Sequence, residues 1–212
     1  MTARLLKQIA GVGVIASMAL SVGCGDVSQG QAPAQVVIDA LEAAPGAEPN
    51  ELGGTLLSDV ETLETSPEPC SPEAPCPTIY NDVASVQMRL RSRDPGVPGI
   101  GSNPSFLNSV TINRYHVRYV RTDGRSAEGV DVPYAFDSAL TFTIGSDSQV
   151  TAGFQIVRSS AKLEAPLRAL VDNGQFISTI AQVTFYGQDL AGNAVSVMGQ
   201  VGIDFGNYAD PN

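Results

Sequence analysis

From residue 81 onward, apolar and polar residues alternate with a period of two, which commits most of the chain to strands with one dry and one wet face. Ala84, Val86, Met88 and Leu90 alternate with Ser85, Gln87, Arg89 and Arg91, as in an extended strand whose successive side chains point to opposite sides. Residues 110–121 predict a longer strand, but Val110 and Ile112 share one parity while Tyr115, Val117 and Tyr119 share the other. A β-bulge near Asn113, one extra residue in the strand, reconciles the two halves. Alternation resumes in Val130, Val132, Tyr134 and Phe136, then in Leu140, Phe142 and Ile144, then in Val150, Ala152, Phe154 and Ile156. After a short helical crossing at 161–171, limited by Pro166, two strong strands close the chain. They carry Thr179, Ala181, Val183 and Phe185, then Val195, Val197, Val201, Ile203 and Phe205. About seven strands at regular spacing, with Asp-Gly and Gly-Asn turn signals between them, predict an antiparallel β-sandwich, with a closed barrel as the alternative.

The N-terminal third follows other rules. Residues 1–8 carry Arg4 and Lys7 and no acid, and residues 9–22 carry no charge. Small residues follow in Ser21-Val22-Gly23 before Cys24. A basic start, a short apolar stretch and a small-residue cleavage point describe an export signal. The stretch is shorter than the ~20 apolar residues that span a bilayer. Its end resembles the signal peptides of bacterial lipoproteins, in which a small residue precedes a cysteine that is acylated and becomes the new N-terminus. The resemblance implies lipid attachment at Cys24, and Gly25 after it implies the outer membrane. Ser21 stands where that family usually has leucine, and Ser21 with Gly23 also fits an ordinary secretory signal, so a secreted or periplasmic form stays open.

Between residues 25 and 80 there are ten acids and no Lys or Arg, whereas residues 81–212 hold twelve acids against ten bases. The net charge of −10 therefore sits in the N-terminal third. The expected organisation is a signal at 1–23, an acidic tether at 24–50, an extension at 51–80 and a sandwich at 81–212. Segment 35–44 (QVVIDALEAA) has good helix formers and predicts a short helix within the tether, and 55–60 and 77–80 predict edge strands. Once Cys24 is set aside, Cys70 and Cys76 remain as an even pair, and an exported chain meets oxidising conditions, so a small disulfide loop is expected. An acidic chain does not suit nucleic acid, whose binding relies on basic surface.

The final hairpin, TFYGQDLAGNAVSV, resembles the closing hairpin of bacterial immunoglobulin-like domains, which often carry an Asp-x-x-Gly-Asn turn. The segments RYHVRY, GVDVPYAFDSA and IDFGNY are similar to those of envelope lipoproteins of Gram-negative-type bacteria, a likeness that implies no activity.

Catalytic signals are sparse. His116 is the sole histidine, lies mid-strand between Arg114 and Arg118, and has no partner acid identifiable from sequence. No phosphate loop, zinc spacing or nucleophile elbow occurs, and nothing in the pattern asks for a cofactor. Asp131, Asp137, Asp189 and Asp204 would form a carboxylate site only if the fold brought them together. Asp189, Asn193 and Asp204 are oxygen donors that a calcium ion would accept, although Asp and Asn in such a turn usually bond their own backbone. Arg89, Arg91 and Arg93 share one strand face, and Arg114, Arg118, Arg121 and Arg125 follow on the next strand. If both strands belong to one sheet, the arginines form a cationic stripe suited to an anionic glycan, a lipid headgroup or an acidic envelope protein. The expected function is a lipid-anchored, non-catalytic envelope protein acting in adhesion, assembly or surface structure. Its alternatives are an anionic-ligand module using the arginine face and an enzyme with an unrecognised carboxylate site.

Overall fold

The computed structural model describes residues 32, 34–93, 106–146 and 148–208; residues 1–23, where an export signal is expected, Cys24 and the Pro/Gly-rich break at 95–101 lie outside the described residues. In chain order the strands are β1 (Ala34–Ala44), β2 (Thr55–Asp59), β3 (Thr62–Glu64), β4 (Cys76–Thr78), β5 (Asp82–Ser92), β6 (Val110–Arg121), β7 (Phe136–Ile144), β8 (Val150–Val157), β9 (Ile177–Asp189) and β10 (Ala194–Gly206). A single helical turn, α1 (Ser159–Lys162), and a 3₁₀ turn at Leu167–Leu170 make the crossing between β8 and β9.

Three sheets result among the described residues: one of three strands in the order β1-β5-β8, one of five in the order β2-β10-β9-β6-β7, and a two-stranded ribbon of β3 and β4. Pairings are antiparallel except that β2 runs parallel to β10. The fold is thus an immunoglobulin-like β-sandwich: the alternation predicts the sandwich, and the likeness of the closing hairpin implies the immunoglobulin-like kind. Alternate residues of the two larger sheets face each other across a core built around Tyr115, Phe154 and Phe185. The Phe154 ring meets Tyr115 and Phe185 edge-on, at centroid separations of 4.9 and 5.3 Å, the geometry that aromatic quadrupoles favour.

The bulge falls where the parity break places it. Strand β6 shifts register between Ile112 and Arg114 against both of its neighbours. Opposite it on β9 is Gly187, where a Cβ would lie 2.2 Å from the Thr111 carbonyl oxygen. Only a residue without a side chain lets the two backbones approach so closely.

Two expectations are corrected. Segment 35–44 is not a helix within a tether; it is strand β1, paired with β5 along its length. A bulge between Ile38 and Ala40 turns the inward set into Val36, Ile38 and Leu41, and this two-then-three spacing imitates a helix side. Pairing with β5 overrides the modest helix preference of Ala, Leu and Glu. The sandwich therefore begins at Ala34, and much of the acidic third belongs to it.

Nor do residues 130–135 form a strand. They fold as a turn in which the Ala127 carbonyl accepts from the N–H groups of Val130 and Asp131, Gly129 takes φ of 74°, and Pro133 offers no N–H. Val132 is buried, while Val130 and Tyr134 point to solvent.

The Cys70–Cys76 disulfide is formed. It closes the loop between β3 and β4, which pair as a two-stranded ribbon. Among the described residues no helix is long and apolar enough to cross a membrane.

Candidate functional site

The most concentrated polar chemistry lies inside the sandwich. Asp82 opens β5 on the parity that points inward, and its carboxylate and the Lys162 ammonium are each about 1% exposed. Lys162 Nζ donates to Asp82 Oδ1 at 2.9 Å. Ser58 Oγ donates to Oδ2 at 2.5 Å, and the Gly46 N–H donates to Oδ1 at 2.9 Å. Gly46 reaches that position because it has no side chain: a Cβ there would lie 2.3 Å from the Asn81 carbonyl oxygen.

One carboxylate thus joins four parts of the molecule. Asp82 belongs to the three-stranded sheet, Ser58 to the five-stranded sheet through β2, Lys162 to the crossing turn, and Gly46 to the β1–β2 connection. Burial pushes the Asp82 carboxyl above its ordinary range, and Lys162, Ser58 and Gly46 offset only part of that push. Charges taken out of water are tolerable only when paired and hydrogen-bonded; here the two are paired, and the carboxylate accepts three hydrogen bonds. Nearby, Tyr119 Oη donates to the Ile156 carbonyl at 2.6 Å, and burial raises the pKa of its phenol strongly. The cluster binds sheet to sheet. Its charged atoms lie out of contact with solvent.

His116 projects from the opposite side of the molecule's wall, on the outer face of the five-stranded sheet. The acid that the sequence could not identify is Asp137 on β7, directly across the ladder. His116 Nδ1 lies 3.1 Å from Asp137 Oδ2, and Arg114 Nη1 donates to Oδ1 at 2.7 Å. Arg114 also stacks over the Tyr186 ring at 4.0 Å. The His116 hydrogen bond, then the charges of His116 and Arg114, hold the Asp137 carboxyl below its ordinary range. Register carries the row onward to Thr184 and Met198. Beside it run Arg118, Gln182 and Gln200, then Val120, Ile180 and Gly202. Met198 and Ile180 are exposed. This is an open surface that mixes polar and apolar side chains.

The cationic stripe does not form. Arg89 and Arg91 are on β5 in the three-stranded sheet, whereas Arg114 and Arg118 are on β6 in the five-stranded sheet, so the two sets look out from opposite sides of the sandwich. Most of these cations also have acid partners: Arg89 with Asp39, Arg114 with Asp137, and Arg121 and Arg125 with Asp123.

The calcium donors do not converge either. Asp189 caps its own turn, accepting from the N–H groups of Ala191 and Asn193 and from Asn193 Nδ2. Burial works against the charge of Asp189, but these bonds more than offset it, and the carboxyl stays below its ordinary range. Asp204 accepts from Ser178 Oγ near the far end of the same hairpin, roughly 35 Å away at about 3.3 Å per residue. Among the described residues no group of three or more His, Cys, Asp or Glu is placed to hold a metal ion. The four candidate carboxylates are likewise dispersed: Asp131 pairs with Arg125, Asp137 with His116, and Asp189 and Asp204 as just described.

Two surface hollows lie among the described residues. One, of about 350 Å³, is lined by Glu48, Glu51, Asp59, Leu57 and Tyr208 among others. Burial, followed by the charges of Asp204 and Asp59, pushes the Tyr208 phenol up to about 12. The other, of about 270 Å³, lies between Tyr134 and the crossing turn, with Arg158 and Glu164 at its rim.

No family model matches this sequence, and no curated protein matches it. The chain is similar to the X-ray structure of Northeast Structural Genomics Consortium target SoR45, over 85% of this chain and 94% of that one, at 8% identity and a TM-score of 0.33. A likeness at that level carries no argument about what this chain does.

Proposed function

We propose that this chain is an exported, lipid-anchored protein of the cell envelope, whose sandwich has a non-catalytic role in adhesion, assembly or surface structure. The observation that carries the reading is the closeness of the sandwich to Cys24. Strand β1 begins at Ala34, ten positions after the cysteine of the lipoprotein-type motif. Ten residues reach at most about 35 Å when fully extended, so a lipid on Cys24 would keep the sandwich beside the membrane. The Cys70–Cys76 disulfide suits an oxidising compartment outside the cytosol. The groups that catalysis would recruit are otherwise engaged: Asp82 and Lys162 are buried in the interior, and His116 and Asp137 pair on an open sheet face. That face, with Met198 and Ile180 exposed among glutamines and threonines, suits contact with a large partner.

Metabolic labelling with a fatty-acid analogue tests the anchor. Label is expected in the wild-type chain and absent from Cys24→Ala, which should move to the soluble envelope fraction. Label that persists in Cys24→Ala, or a wild-type chain that takes none, would overturn the anchoring reading.

A further inference from the structure

Sandwiches have four open strand edges, and an unguarded edge is a template for another strand. Three of the four are blunted here. Strand β1 carries Glu42 and a bulge at Asp39, and an isolated bridge from Ala43 to Gly53 occupies part of its edge. Strand β2 is five residues long and contains Asp59. On β8 the Gln155 and Ile156 carbonyls accept the hydroxyls of Tyr115 and Tyr119 at one end, and Gly153 interrupts the remainder, where it weakens strand pairing.

Strand β7 differs. Among the described residues no strand pairs with its outer side. Arg158 caps only one end, donating to the Asp137 carbonyl at 2.9 Å while stacking over Phe136 at 3.8 Å. Beyond that cap, Ala139-Leu140-Thr141-Phe142-Thr143 contains no charge, proline or glycine. Ala139, Thr141 and Thr143 are exposed, and Leu140 and Phe142 are only partly covered.

We propose that β7 pairs antiparallel with β7 of a second copy of this chain, centred on Thr141, joining two five-stranded sheets into one of ten strands. The Asp137 carbonyl faces Arg158 rather than β6; β7 shifts register against β6 between Ala139 and Phe142, but its exposed and covered residues alternate without a break, so Ala139, Thr141 and Thr143 also turn their backbone groups outward. A two-fold axis at Thr141 sets Ala139 opposite Thr143, and Leu140 opposite Phe142 twice over. The outward backbone groups then meet as hydrogen-bonded pairs, and the half-covered Leu140 and Phe142 bury one another. No like charges oppose, since Asp137 falls across from Gly145, and Arg158 keeps its place. The contact is isologous, so it closes at two copies. It is also small, which makes the pairing weak and concentration-dependent. This deepens the assembly role proposed above, yet its test is independent of lipid labelling.

The test uses the full chain carrying Cys24→Ala, so that anchoring and stray thiols do not intervene. Sedimentation equilibrium should show a dimer that grows with concentration and is lost in Thr141→Lys, which sets two ammonium groups side by side. Circular dichroism and melting temperature of Thr141→Lys should match the parent. Added as a second change, Thr141→Cys should oxidise to a covalent dimer, because directly opposed residues have Cα atoms about 5.5 Å apart, within disulfide reach. Thr143→Cys should yield at least tenfold less, because its copies are about four residues out of register. A monomer at every concentration, a dimer that survives in Thr141→Lys, or equal crosslinking at 141 and 143 would each overturn the proposal.

Discussion

Asp82 and Asp137 meet their cations at nearly the same distance, 2.9 Å to Lys162 and 2.7 Å to Arg114, and share almost nothing else. The first pair is about 1% exposed on both sides, while the second is more than half exposed on both. Water screens the exposed pair, and its side chains surrender freedom to hold one geometry, so such contacts add little. The buried pair has surrendered its hydration and must recover it from Ser58, Gly46 and each other. Once either partner is gone the other is stranded. Distance alone does not rank ionic contacts; the surroundings do. In this molecule the interior charges tie the sheets together, and the exposed ones stay in water.

The largest effect should come from stranding one buried charge. Asp82→Ala is expected to cost about 3–5 kcal/mol, read as a lower urea midpoint with an unchanged slope. Replacing both partners, as in Asp82→Leu with Lys162→Met, should cost clearly less than either single change, because no charge is left buried.

Next in size is a pH effect in Lys162→Met. Without its ammonium partner the Asp82 carboxyl is pushed higher still. A group whose folded pKa lies above its unfolded value stabilises fully below the unfolded value, about 3.9 for Asp, and loses that contribution as pH rises through the folded value. The deficit of Lys162→Met against wild type should therefore shrink as pH falls from 7 toward 4. A deficit that grows on acidification would contradict the assignment of Asp82 as the burdened group.

Smaller again is the loss from Asp189→Ala, which removes the cap of the β9–β10 turn and should cost about 1 kcal/mol. Its sign with pH is opposite. The folded carboxyl is held below its ordinary value, so its contribution is present above about pH 3.9 and fades as pH falls below that. Smallest of all, Asp137→Asn and His116→Ala should leave the urea midpoint unchanged within error. Should either change weaken retention on native envelope material, the outer sheet face would gain a direct role in binding.

Much of the fold is legible in the sequence because period-two alternation reports which side of each strand is dry. Even the bulge at Asn113 is visible as a change of parity. The same signal fails at β1, where the bulge at Asp39 breaks alternation within a strand and leaves a helix-like spacing. Alternation reports a face but never a sheet, and for that reason Arg89 and Arg114 could not be assigned to opposite walls before the pairings were known. The buried pair left two marks that were open to reading. Asp82 extends the inward parity of Ala84, Val86, Met88 and Leu90 by one step, and Lys162 is the sole lysine after Lys7, set between Ala161 and Leu163. Its partner stays hidden, because eighty residues of chain separate the two and only the closed sandwich brings them together.

Paired double-mutant cycles on Asp82–Lys162 and Asp137–Arg114, measured by urea unfolding, test the division between interior and surface charge most directly. The expected result is a coupling of about 2 kcal/mol or more for the buried pair and none resolvable for the exposed pair. Equal couplings, or a larger one at the surface, would contradict it.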